Sequence, residues 1–287
     1  MRLGLMARFW NAADLVAEWV DANLIPQVDR DLVLLMDCGS SDGTWDALAT
    51  ESNEHAFPLP FRLPPSAPML SGLWCDMLLQ EAKRRGATLL LALDHDEFLE
   101  PEFASLLPLL LSQPRATYWE FPRANHQFSR SEYSTASGDV RFRERILFRV
   151  NPSHYYPRNA VHHLERVPLG GPERHRGGPS LPPPNAELRG ETYGLVLRHF
   201  SQRDAKRSRL WYERLRSGAG EDRPTIAANP EQTRRRLVAE GHLKTWRSYT
   251  DWLHDPSLDR GWGTSDRLAP GICQAIEQAL GRKLPCT

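Results

Sequence analysis

The sequence predicts an α/β protein, a mostly parallel sheet flanked by helices, and two observations carry that expectation. Over residues 2–50 the pattern runs strand, helix, strand, loop, helix, as successive crossover units do. The run Leu89-Leu90-Leu91-Ala92-Leu93 holds no polar residue, as a strand buried on both faces demands. It leads directly into Asp94-His95-Asp96-Glu97-Phe98. Open α/β sheets take their ligands beyond the carboxyl ends of the strands, which is where these three acids fall.

Taken in order, residues 2–7 predict the first strand. Asn11 is placed to cap the following helix, with Asp14 three residues on as the acid of a capping box. Leu15, Val16, Trp19, Val20 and Leu24 give that helix its inner face, and Pro26 ends it. Residues 32–36 predict a second buried strand. The loop Asp37-Cys38-Gly39-Ser40-Ser41-Asp42-Gly43-Thr44 follows, and a helix starts near Trp45. A short extended piece is expected near Phe61. Leu70, Leu73, Trp74, Met77 and Leu78 mark one face of a helix that runs to about Arg85 and stops at Gly86. Residues 101–111 predict a helix. Residues 116–121 and 145–150 predict strands, with a polar, aromatic loop over 123–139.

Beyond residue 157 the character changes. Gly177-Gly178-Pro179 and Pro182-Pro183-Pro184 exclude helix and central strand from the 168–184 loop. A loop of that length is a lid over a site or an insertion without function. Residues 194–198 form a last strand ending at His199. Helical segments are expected at 203–216 and 230–240, and the Trp-rich tail packs as an appendage. The expected organisation is a domain over 1–215 and a helical C-terminal extension over 216–287.

Composition narrows the function classes. Lys+Arg and Asp+Glu balance at 36 each, so no global charge draws the chain to nucleic acid or an anionic membrane. Cys38, Cys75, Cys273 and Cys286 form no Cys-x-x-Cys pair, so a zinc knuckle or redox motif is not expected. Neither a signal peptide nor a transmembrane segment is read, and the expected address is the cytoplasm.

The acids after the central strand are the centre of the functional reading. On an extended backbone Asp94 and Asp96 would point to the same side, an oxygen-rich arrangement suited to a hard divalent cation. The alternative is a polar turn closing the strand, its acids solvated. The order of the motifs then resembles the family 2 glycosyltransferases of GT-A fold. A first strand leads to Arg8-Phe9-Trp10-Asn11-Ala12, a second ends in Asp37-x-Gly39-Ser40-x-Asp42-Gly43-Thr44, and a third ends in Asp94-x-Asp96-Glu97-Phe98. The similarity is to the branch whose acidic motif reads Asp-x-Asp-Glu-Phe, and Val161-His162-His163 and His199-Phe200-Ser201-Gln202-Arg203 also resemble that branch. It departs at Ala12, where glutamate is usual.

The resemblance implies a GT-A (Rossmann-like) sheet and transfer of a sugar from a UDP- or GDP-sugar to a saccharide or other hydroxyl acceptor, with inversion and with Mn²⁺ or Mg²⁺. It implies that Asp96 touches the metal, while Asp94 reaches it through water or holds the ribose. Arg8, Asn11 and Asp37 would serve the nucleotide, with Asp42 fixing the same loop. His199 would complete the metal shell or reach a phosphate, or be an inert histidine at the start of a helix. Arg203, with Lys206 and Arg207, would contact the diphosphate or form a solvated basic face. His162 or Glu97 is the candidate base, Glu97 having the alternative of orienting the loop. Trp10, Tyr118, Trp119 and Tyr133 would stack on sugars or simply fill the core. The competing readings are a nucleotidyltransferase and a non-catalytic carbohydrate-binding relative.

Overall fold

The computed structural model describes residues 1–66, 71–126, 131–134, 143–152, 189–200, 230–248, 251 and 270–283. The chain forms two compact units. The first comprises Met1–His95, Arg115–Glu120 and Arg145–Gly190, and the second Asp96–Pro114, Phe121–Glu144 and Glu191–Thr287.

The first unit is built on a sheet whose central strands are apolar along their length. Strand β1 (Leu3–Phe9) is buried throughout, β2 (Val28–Asp37) is buried over its last six residues, and β4 (Leu89–Asp94) carries Leu89, Leu90 and Leu91 fully inside. Such strands need cover on both faces, which helices provide. β1 pairs in parallel with β2 on one side and β4 on the other, and β2 pairs in parallel with the short β3 (Phe61–Arg62). Helices α1 (Val16–Asn23), α2 (Thr44–Glu54) and α3 (Ser71–Arg84) fall between these strands in the chain. Gly4 allows the close approach within the sheet, because a Cβ there would sit 2.8 Å from Leu90. Gly86 stops α3 at a φ of 81°, the left-handed cap that glycine adopts without steric cost.

The middle of the sequence supplies β6 (Tyr118–Asn125), β8 (Arg143–Arg149) and β9 (Arg189–Gly190). β8 runs antiparallel to β4, and Tyr118 and Trp119 pair in parallel with β9. The sheet is therefore mostly parallel, and the fold class is the expected one.

The second unit is smaller in sheet and richer in polar groups. β5 (Glu97–Leu99) pairs antiparallel with β10 (Leu197–His199), which pairs in parallel with Arg123–Asn125 of β6. β7 (Glu132–Ser134) and β11 (Leu243–Thr245) pair antiparallel. Helix α4 (Glu102–Leu111) buries Phe103, Leu106, Leu107 and Leu110. The C-terminal region adds α5 (Pro230–Ala239) and α6 (Pro270–Leu280), and α6 packs on α4 with Arg282 paired to Glu102 at 2.9 Å. The expected helical extension is present, and it also contributes β11.

Three expectations need correction. Asn11 does not cap α1, which begins at Val16 with no side-chain cap. Strands β5 and β7 occupy positions read as loop, being too short to show a period. Finally, the backbone turns at His95 and Asp96, so the alternation of an extended strand does not govern the two aspartates. The boundary at 215, the 203–216 helix and the 168–184 loop lie outside the described residues.

Candidate functional site

In the first unit three candidate site residues are delivered by neighbouring strand ends. Asp37 and Asp94 close β2 and β4, and Arg8 is the penultimate residue of β1. The parallel register sets Arg8 opposite Asp94 and Phe9 opposite Asp37. The sheet winds outward in both directions from β1, and that reversal is where open α/β sheets form a ligand crevice.

Arg8 Nη2 donates to Asp94 Oδ1 at 2.8 Å. Burial opposes the Arg8 charge, but the surrounding Cys75, Asp94 and Cys38 groups outweigh it and hold its pKa above the ordinary arginine value. Burial pushes the Cys75 thiol up to about 11, against the pull of Arg8, so this thiol is no nucleophile at neutral pH. Trp19 Nε1 donates to the main-chain carbonyl of Asp94 at 2.9 Å, and its ring meets Phe9 edge-on at 5.0 Å. Asp94 is thus held through both its backbone and its side chain.

Asp37 is fully buried. Its Oδ1 accepts the Ser40 amide at 2.9 Å. Its Oδ2 has no hydrogen-bond partner among the described residues, with Arg62 Nε standing off at 3.8 Å. The Arg62 guanidinium lies over the Trp45 ring at 5.0 Å.

The loops after β1 and β2 are sewn together. The Asn11 amide donates to Ser40 Oγ at 2.9 Å, and Asn11 Oδ1 accepts the Ser41 amide at 2.9 Å. The Ala12 amide donates to Thr44 Oγ1 at 2.8 Å, and the Ala13 amide to Asp42 Oδ2 at 3.2 Å. This explains why Asn11 caps nothing: it sits at a φ of 47° with its side chain turned to the second loop. Asp42 Oδ1 also accepts the Thr44 amide at 3.1 Å.

In the second unit the register sets Glu97, His199 and Asn125 in one row across β5, β10 and β6. Neighbours in such a row share a face of the sheet. His199 Nδ1 and Asn125 Oδ1 are 2.8 Å apart, and both residues are buried. With the amide oxygen accepting, the ring proton sits on Nδ1 and Nε2 keeps its lone pair. Nε2 faces Asp96 Oδ2 at 3.6 Å. Two acceptors facing each other repel unless a proton or a cation lies between them. The gap also suits a cation, since it spans two bonds of roughly 2.1 Å to one ion. A carboxylate oxygen suits Mn²⁺ and Mg²⁺ alike, whereas an imidazole nitrogen suits the softer of the two, Mn²⁺, better; a histidine in that role would carry an outer hydrogen bond like the one to Asn125. Glu97 is buried with Arg123 Nη1 at 3.8 Å from its Oε1.

His162 and Arg203 lie outside the described residues, as do Lys206 and Arg207. Trp119 and Tyr133 are buried core aromatics, and Trp10 and Tyr118 pack at the edge of the first unit's core. Sequence reasoning missed Asn125, Arg123, His126 and Arg198. For the first three the signal was the polar cluster Arg123-Ala124-Asn125-His126 at the end of a strand.

No protein-family profile matches the chain, and no curated protein matches it. Solved structures do. Staphylococcus aureus TarS aligns over 98% of this chain at 14% identity and a TM-score of 0.47. This chain spans about half of that one, 48% of its length. TarS residues 1–349 align over 99% of this chain and 81% of that one, at 13% identity and a TM-score of 0.48. The Pyrobaculum calidifontis mannosyltransferase PcManGT, in complex with GDP-Man and Mn²⁺, aligns over 98% of this chain and 82% of that one, at 12% identity and a TM-score of 0.41. Similarity at this level says nothing about donor, metal or acceptor, so the chemistry rests on the side chains above.

Proposed function

We propose that the protein is a GT-A-type glycosyltransferase that uses Mn²⁺ or Mg²⁺ and moves a sugar from a UDP- or GDP-sugar to a saccharide or other hydroxyl acceptor, with inversion. The observation that carries this is the Asp96–His199 pair, a carboxylate oxygen and an imidazole nitrogen 3.6 Å apart with the imidazole anchored on Asn125. Asp37 supports the nucleotide half of the reading, because its buried Oδ2, at the carboxyl edge of the sheet, has no hydrogen-bond partner among the described residues. An imide N–H of a base or a ribose hydroxyl would satisfy it.

Bound at Asp96 and His199, a divalent cation would supply the Lewis acidity that neutralises the departing diphosphate. The protein's own groups divide the remaining work. Asp37 takes the nucleoside, on a loop pinned by Asn11 and Asp42. Arg8 holds Asp94 in place and brings positive charge to the strand ends. Glu97, set beside Arg123, orients the His199 row rather than taking a proton. His162, one of the two candidate bases read from the sequence, would accept the acceptor hydroxyl proton while that oxygen attacks the anomeric carbon on the face opposite the leaving nucleoside diphosphate.

The test is turnover of UDP- and GDP-sugars by the purified protein with and without Mn²⁺. Asp96→Ala should abolish metal-dependent turnover with its circular dichroism and melting unchanged. Undiminished turnover in that variant would defeat the reading. Release of pyrophosphate from a nucleoside triphosphate would replace it with a nucleotidyltransferase. Donor binding without turnover at every metal concentration would replace it with a carbohydrate-binding protein.

A further inference from the structure

Strand β10 is only three residues long, yet it carries His199 between two other strands. Alternation places Arg198 on the face opposite His199. There Arg198 enters a group of rings. Its guanidinium lies 5.0 Å from the Phe200 ring and 5.2 Å from the Trp246 ring, and its Nε donates to His126 Nε2 at 3.3 Å. His126 stacks on Phe200 at 4.6 Å and 25°, and meets Trp246 at 5.6 Å. Trp246 also meets Tyr133 edge-on at 5.6 Å.

The same residues hold the backbone of both proposed metal ligands. The His126 amide donates to the His199 carbonyl at 2.7 Å, and the Phe200 amide donates to the Asp96 carbonyl at 2.8 Å. A shift of His126 or Phe200 therefore moves His199 or Asp96. Phe200 is pressed from its other side by Phe98, edge-on at 5.1 Å. Trp246 is supplied by the C-terminal region, immediately after β11, and its amide donates to the Ser131 carbonyl at 2.6 Å.

We propose that Trp246 is a positioning residue for the cation site: by closing the aromatic box around Arg198 it fixes His126 and Phe200, and through their amides the spacing of His199 and Asp96. The inference rests on the reading of Asp96 and His199 as metal ligands. It gives the C-terminal region a role in the chemistry. Outer groups that orient a metal ligand typically alter affinity roughly 10- to 100-fold when removed.

The experiment compares the wild-type full chain with Trp246→Ala, Trp246→Phe and Asp96→Ala. Mn²⁺ affinity is measured by titration calorimetry, and the His199 ring nitrogens by NMR in the metal-free protein. Trp246→Ala should weaken Mn²⁺ binding roughly tenfold and shift or broaden the His199 resonances while melting stays cooperative, and Trp246→Phe should restore both. Wild-type affinity and an unmoved His199 signal in Trp246→Ala would overturn the proposal. So would equal loss in the Ala and Phe variants with melting collapsed, because that marks a purely structural role. Failure of the underlying reading looks different: Asp96→Ala would bind Mn²⁺ like the wild type, whatever Trp246 does.

Discussion

Glu100 shows what burial does to one residue. It is buried beside Arg198, whose Nε stands 3.5 Å from its Oε1. Burial outweighs that cation and pushes its carboxyl up to about 7. The folded protein thus keeps a proton that the unfolded chain gives up near the ordinary value of 4.5. Between those two values the folded state binds more protons than the unfolded one, so stability falls as pH rises through the window. Glu100→Gln removes the titration, and its unfolding free energy should fall less steeply over the same window than that of the wild type. Equal slopes in denaturant melts would rule out Glu100 as the source. Glu81 runs the other way: hydrogen bonds from Arg84 and Arg85 hold it down at about 2, so its contribution stands at neutral pH and is lost only in strong acid.

At the scale of elements the argument turns on how loops are held. Asp42 accepts from the Thr44 amide at 3.1 Å and the Ala13 amide at 3.2 Å, joining the turn after β2 to the turn after β1. Asp42→Ala should cost about 1–3 kcal/mol of stability and weaken nucleotide diphosphate binding, whereas Asp42→Asn, which keeps one acceptor oxygen, should lose less. Urea melts and a nucleotide titration check this, and unaltered values in Asp42→Ala would show the loops are held elsewhere. The strands bearing Arg8, Asp37 and Asp94 were legible in the sequence because their apolar runs are long and end in charge. The role of Asn11 was not, because its local spacing also matches a helix cap and only its side chain's partner, the Ser41 amide 30 positions away, overrides it. Asn125 was missed for a related reason: its meaning comes from His199, 74 residues on, and no periodicity links the two. β5 and β7, three residues each, are too short to carry a pattern at all.

For the whole molecule, neither charge nor hydropathy points to a particular partner. Acids and bases balance, and among the described residues no helix is long and apolar enough to cross a membrane. The division between the two compact units falls between His95 and Asp96, inside the acidic motif. In the proposed reaction a nucleotide diphosphate and a cation bind together, and the two should be thermodynamically linked, since a diphosphate brings further oxygens to the ion. Any ligand of the native state raises the melting temperature by mass action, about 2.7 kcal/mol at a hundredfold excess over Kd, which for a chain of this size is roughly 5–10 °C. UDP or GDP with Mn²⁺ should therefore raise the melting temperature by more than the sum of each added alone, and Asp96→Ala should reduce the combined shift to that sum. A combined shift no larger than the nucleotide's own, in the wild type, would separate the cation from donor binding and leave Asp96 and His199 as a structural pair.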